Sequence, residues 1–241
     1  MDKKLSLLAC LLLGAVLASA APVACPTGTL QDYTTTVNTA GGCSEDGLLF
    51  SQFQYLNSSS GTAVALPATA VAVAPLLNTA GTGFGFQITG GFAAGANSVA
   101  DGILQYQVST TNNQPLLTNM SLSFNGTFTG SGIANVSENY CVGGTVVPPG
   151  ASCSGGLANI FVQNSNALTR LQNSVTFAGV NSVTVSKDIQ VNGGSSGSAT
   201  ISSVTNQFQT GPTAVPEPGA FLLMGSGLAG LALLRRRFSR S

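Results

Sequence analysis

The sequence predicts an all-β fold, an antiparallel β-sandwich of about ten short strands spanning residues 21–214. Three observations predict it. Apolar residues recur with a period of two rather than 3.6. Clusters of Gly, Asn, Ser and Pro interrupt the pattern at short intervals. No convincing amphipathic helix precedes residue 214. Few charges and many β-branched residues set the segment apart from disordered chains, and its length suffices for a sizeable core in one domain.

Taken from the start, Lys3 and Lys4 precede an apolar run, Leu5 to Leu17, and then Ala18-Ser19-Ala20. A basic region, an apolar region and a small-x-small site read as a secretory signal peptide over residues 1–20. Within the body, Leu49, Ser51, Phe53 and Tyr55 are expected on one strand face, with Gln52 and Gln54 opposite. Leu104, Tyr106 and Val108 alternate with Gln105 and Gln107, and Val183 and Val185 alternate with Ser182, Thr184 and Ser186. Leu122, Phe124, Gly126 and Phe128 share one phase. Further strands are expected over 63–73, 84–89, 136–142, 159–163, 170–177 and 199–208. Expected turns are Asn57 to Gly61, Gly90-Gly91, Asn112-Asn113, Pro148-Pro149-Gly150 and Asn192-Gly193-Gly194. Polar outer faces of Gln, Ser, Thr and Asn suit sheets with one wet side.

The body holds two basic residues, Arg170 and Lys187, and six acidic ones, Asp32, Glu45, Asp46, Asp101, Glu138 and Asp188. A net charge near −4 without a basic cluster argues against nucleic acid as a partner. Cys25, Cys43, Cys141 and Cys153 are an even set behind a leader and read as two disulfides. Short loops favour Cys25–Cys43 and Cys141–Cys153. There is no His and no Cys-x-x-Cys spacing, so no metal or cofactor site is assigned.

The absence of His also removes the Ser-His-Asp triad and the commonest general base. Paired carboxylates could still cleave a glycoside, but nothing in the spacing of the six acids predicts convergence. No catalytic residue is assigned and the chain is expected not to be an enzyme. Tyr33, Tyr55, Tyr106 and Tyr140, with surface amides, could contact sugars. Trp, the usual sugar platform, is absent.

The chain ends in Val215-Pro216-Glu217-Pro218-Gly219, an apolar run from Ala220 to Leu234, and Arg235-Arg236-Arg237. The prolines bias Val215 and Glu217 toward extended backbone and remove two donors, the form an enzyme cleft accepts. As a helix, residues 220–234 would reach about 22 Å, short of a ~30 Å hydrocarbon core. The arginines can snorkel to the far headgroups and mark the cytoplasmic side.

This order of parts resembles the PEP-CTERM sorting signal on proteins exported by Gram-negative bacteria. A Ser often follows the Pro-Glu-Pro in that family, where this chain has Gly219. The resemblance implies a sorting motif at Val215, Pro216, Glu217 and Pro218, a transmembrane helix over 220–234, and a basic anchor at Arg235, Arg236 and Arg237. It also implies an exosortase as processing partner, with transient anchoring in the inner membrane. Segments such as Phe50 to Tyr55, Asp101 to Val108 and Glu138 to Cys141 resemble β-rich bodies of other such proteins, which implies a shared fold and no known activity. The domain reading is therefore 1–20 leader, 21–214 body and 215–241 sorting signal. The expected function is that of a structural protein of the cell surface or extracellular matrix, associated with exopolysaccharide. A carbohydrate-binding or adhesion module is the alternative, and a secreted glycan hydrolase a remote one.

Overall fold

A computed structural model describes residues 23–45, 47–76, 83–111, 115–143, 153 and 156–211. The leader (1–20), Asp46, the turns at Asn112-Asn113 and Pro148-Pro149-Gly150, and the sorting signal (215–241) lie outside the described residues. In chain order the strands are β1 (Val23–Ala24), β2 (Gly28–Thr29), β3 (Cys43–Glu45), β4 (Leu48–Ser60), β5 (Ala72–Leu76), β6 (Phe84–Ala94) and β7 (Val99–Thr110). They continue with β8 (Leu117–Thr129), β9 (Ile133–Val142), β10 (Leu157–Ser165), β11 (Thr169–Arg170), β12 (Gln172–Val180), β13 (Ser182–Asn192) and β14 (Ser198–Thr210).

They form an eight-stranded sheet in the order β1-β3-β4-β7-β13-β9-β10-β11 and a six-stranded sheet in the order β12-β8-β14-β6-β5-β2. The apolar inner faces of the two sheets close one core. Three expectations need correction. The described residues form fourteen strands, several of 11 to 13 residues, rather than about ten short ones. Gly90-Gly91 does not turn, because β6 runs through it, and Asn57 to Ser60 continue β4 in its ladder with β7. The larger sheet is not wholly antiparallel, since β1 runs parallel to β3.

A fourth correction concerns helix. Residues 63–71 do not form the expected strand, whereas Leu30–Asp32 and Tyr33–Val37 form a short helical segment. A reciprocal cap starts it: Asp32 Oδ2 accepts from the Thr29 amide at 2.8 Å, and Thr29 Oγ1 accepts from the Asp32 amide at 3.3 Å. The segment buries Leu30, Tyr33 and Val37 in the core, where Tyr33 meets Phe53 and Phe86 edge-on. With only two turns, its pattern is too short to register as amphipathic.

Two irregularities decide which residues face inward. In β4 the ladder to β7 shifts between Ser51 and Gln54, and Gln52 adopts a left-handed φ of 59°. This bulge brings Leu48 and Phe50 inward before it and Phe53 after it, so the single phase expected from Leu49 to Tyr55 does not hold. In β14 the ladders shift between Ile201 and Ser203. Ala199 and Ile201 face the core on one side, and Val204, Asn206 and Phe208 on the other. Without that extra residue, Thr205 and Gln207 would point inward in place of Asn206.

The disulfides join Cys25 to Cys43 and Cys141 to Cys153, with Cα separations of 4.7 and 5.5 Å. The first fastens β1 to β3 at the sheet edge, where only two residue pairs hold the ladder. Replacing both Cys25 and Cys43 with Ala is expected to cost about 3 kcal/mol. Chemical denaturation of the oxidised protein measures it, and an unchanged midpoint would contradict the assigned role.

Candidate functional site

Lys187 follows Val183 and Val185 on the inward phase of β13 and precedes Ile189 and Val191. Glu138 occupies the same phase of β9, after Ala134 and Val136. The β9–β13 register sets the two residues directly opposite one another. Both are 0% exposed, as is Asn206, which faces them from β14 across the sandwich. Tyr106, on β7 beside β13, completes the group at 1% exposure.

Every polar atom of this group is directed at another. Lys187 Nζ donates to Glu138 Oε2 and, at 3.2 Å, to Asn206 Oδ1. Asn206 Nδ2 donates to Glu138 Oε1 at 3.2 Å and to the Ser121 carbonyl at 2.8 Å. The Tyr106 hydroxyl donates to Asn206 Oδ1. Aromatic rings seal one flank: Tyr106 stacks on Phe53 at 5.5 Å and meets Phe86 and Phe208 edge-on. Burial pushes the Lys187 ammonium down from its ordinary value, against the opposing pull of Glu138. Burial, reinforced by Glu138, holds the Tyr106 hydroxyl well above the usual phenol range and thus protonated.

The sequence does carry a signal for this cluster. Lys187 and Glu138 stand where strand alternation demands apolar side chains, in a body with eight charged residues. An isolated ion there costs several kcal/mol, so each needs an oppositely charged partner. Asn206 was not legible, because its inward direction depends on the β14 bulge.

A second group lies on the outer face of the eight-stranded sheet. Asp101 of β7 and Asp188 of β13 lie close enough to interact, and each keeps a buried Oδ1 without a hydrogen-bond partner. Strand spacing gave no hint of this, since the two residues are 87 positions apart and meet through register alone. Burial first, then the interaction with Asp101, push the Asp188 carboxyl up to about 7.

The remaining candidates are placed as follows. Asp32 caps the helical segment. Arg170 lies over the Phe161 ring at 4.6 Å. Tyr33, Tyr106 and Tyr140 are buried, and the half-buried Tyr55 spends its hydroxyl on the Leu66 carbonyl at 3.0 Å. The tyrosines are therefore core residues and not the sugar contacts that composition suggested. Amides and hydroxyls dominate the outer faces instead. Gln52 donates to Gln107, and Asn159 donates to Ser137 and Asn139. A shallow cleft on the outside of the smaller sheet is lined by Ser121, Ser123, Gln172, Ser174 and Gln207.

Among known families, residues 214–237 match the one described as the PEP-CTERM protein-sorting motif. The chain carries a PEP-CTERM sorting motif. The motif indicates export, transient membrane anchoring and processing by an exosortase. The match covers the tail of the chain and not its body. No curated protein matches the chain. Similar solved structures include TmCBM61 in complex with beta-1,4-galactotriose, at 9% identity and a TM-score of 0.31, covering 63% of this chain and 86% of that one. Endoglucanase 3 of Trichoderma harzianum, from family GH12, is similar at 12% identity and a TM-score of 0.23, covering 69% and 100%. Likeness at these scores carries no argument about the body's role.

Two outcomes follow from the geometry. Lys187→Met leaves the Glu138 carboxylate buried without its cation and should cost about 3–5 kcal/mol in denaturant unfolding; a loss below about 1 kcal/mol would mean that the pair is not desolvated. For Asp188, the folded value of about 7 lies above the ordinary 3.8, so folding favours the protonated form. That stabilisation is full below 3.8 and is lost as pH rises through about 7. Asp188→Asn should flatten this part of the melting-temperature profile, and an identical slope in both proteins would refute it.

Proposed function

We propose that this PEP-CTERM protein is a non-catalytic structural component of the cell surface or extracellular matrix of a Gram-negative cell, retained among exopolysaccharide after an exosortase severs its anchor. The sorting motif at residues 214–237 carries the reading. It supports a path across the inner membrane, a pause there on the apolar run, and release of a folded body.

The body's own chemistry supports a structural role. Both of its basic residues are engaged, Lys187 inside the core and Arg170 on Phe161. Glu138 and Asp32 are likewise spent on fold contacts. The outer faces offer hydrogen-bonding amides and hydroxyls with little charge, which suits the hydroxyl-rich, weakly charged surface of a hydrated polysaccharide.

Specific carbohydrate binding is the second reading. The amide- and hydroxyl-lined cleft between β8 and β12 favours it. A glycan array with the processed protein separates the two, since a specific module retains one glycan class and a matrix component retains none strongly.

The sorting step is tested at Glu217, the sole charge between the body and the apolar run. Glu217→Ala in the host should leave the full-length chain in the inner-membrane fraction, with little or none released. Unchanged release would remove the sorting reading.

A further inference from the structure

Four groups at the centre of the sandwich are arranged as a reaction set, which is more than an ion pair requires. Lys187 Nζ is a primary amine held 3.2 Å from the amide oxygen of Asn206. The two carboxylate oxygens of Glu138 divide between the two nitrogens, Oε2 on Lys187 Nζ and Oε1 on Asn206 Nδ2. The Tyr106 hydroxyl donates to Asn206 Oδ1, the atom that would gain negative charge if the amide carbon were attacked. Ser121 accepts from Asn206 Nδ2 through its carbonyl and so fixes the plane of the amide. Nucleophile, proton carrier, electrophile and oxyanion donor are therefore all present, and Lys187, Glu138 and Asn206 are 0% exposed.

We propose that Lys187 and Asn206 are joined in the folded protein by an amide bond, formed by the chain itself with Glu138 as proton carrier. Glu138 takes a proton from the Lys187 ammonium, leaving a neutral amine. Nζ then attacks Cγ of Asn206, and the carbonyl electron pair moves onto Oδ1, stabilised by the Tyr106 hydroxyl. Glu138 passes the proton to Nδ2. The carbonyl re-forms, the Cγ–Nδ2 bond breaks, and ammonia leaves. Nζ gives up its second proton to Glu138, and the departing ammonia carries one away or leaves Glu138 to re-ionise against water. One C–N bond forms and one breaks, with no change of oxidation state and no external reagent.

The surroundings favour each part of this step. Burial lowers the basicity of the lysine and so raises the fraction present as free amine. Fixed positions convert a slow encounter between a weak electrophile and an amine into an intramolecular event. The dry site keeps the dipoles strong and excludes competing water.

The product bond would tie β13 to β14, strands of opposite sheets, across a chain separation of 19 residues. Neither disulfide links the two large sheets at their centre, since Cys25–Cys43 lies at the β1–β3 edge and Cys141–Cys153 leads from β9 into a loop. An amide, unlike a disulfide, also survives reductants.

The test uses the full chain isolated from expressing cells, then denatured, reduced and digested. Trypsin needs a free lysine side chain. The linked protein resists cutting after Lys187, so Lys187 and Asn206 stay in one peptide that begins at Leu171, and tandem mass spectra show it lighter by one ammonia with an internal link between the two residues. Glu138→Gln abolishes the linked peptide completely, while Tyr106→Phe lowers the linked fraction of the isolated protein. Circular dichroism reports whether each variant is folded. The wild-type digest alone is decisive if a variant fails to fold: Lys187 and Asn206 peptides recovered separately, at their unmodified masses, overturn the proposal. A linked peptide in folded Glu138→Gln overturns the role of Glu138.

Discussion

An amine and a carboxylate without access to water constrain this fold more than any apolar contact does. Each alone would be worth several kcal/mol of lost solvation, so Lys187 and Glu138 tolerate only a register that sets them side by side. That register is the β9–β13 ladder. Asn206 must then meet both from the opposite sheet, which fixes how the sheets lie over one another. An apolar core of Val, Ile and Phe keeps its inward phase if a strand slides by two residues. A four-membered hydrogen-bonded group cannot slide, because any slip leaves a buried polar atom unpaired. The cost of placing charge inside thus becomes specificity for one arrangement.

The same economy of charge runs through the rest of the body. Asp32 holds the N-terminus of the helical segment at 30–37, Asp101 and Asp188 lie together on the outer face, and Arg170 covers Phe161. What remains for the exterior is largely amide and hydroxyl. Such a surface fits a protein addressed by its tail to the world outside the inner membrane.

Much of this was legible from residues alone. Alternation at Leu104, Tyr106 and Val108, and at Val183 and Val185, gave strands β7 and β13 their inward phases, and loop length favoured the two cysteine pairs that the structure joins. Strand lengths were underestimated because Gly90-Gly91 and Asn57 to Ser60 carry turn chemistry that β6 and β4 override. The bulges at Gln52 and Ser202 were invisible: each depends on the length and register of a partner strand. Lys187 and Glu138 could have been found as charges on an apolar phase, whereas Asn206 and the Asp101–Asp188 pair are products of long-range register.

The central claim is that the two sheets are locked through the polar centre and open only together. Native-state amide hydrogen exchange tests this most directly, at Val185, Lys187 and Ile189 on β13 and at Val204, Asn206 and Phe208 on β14. The account predicts that both sets exchange at the same opening free energy, equal to that of global unfolding. Exchange of the β14 set at a clearly lower energy, with β13 still protected, would contradict it.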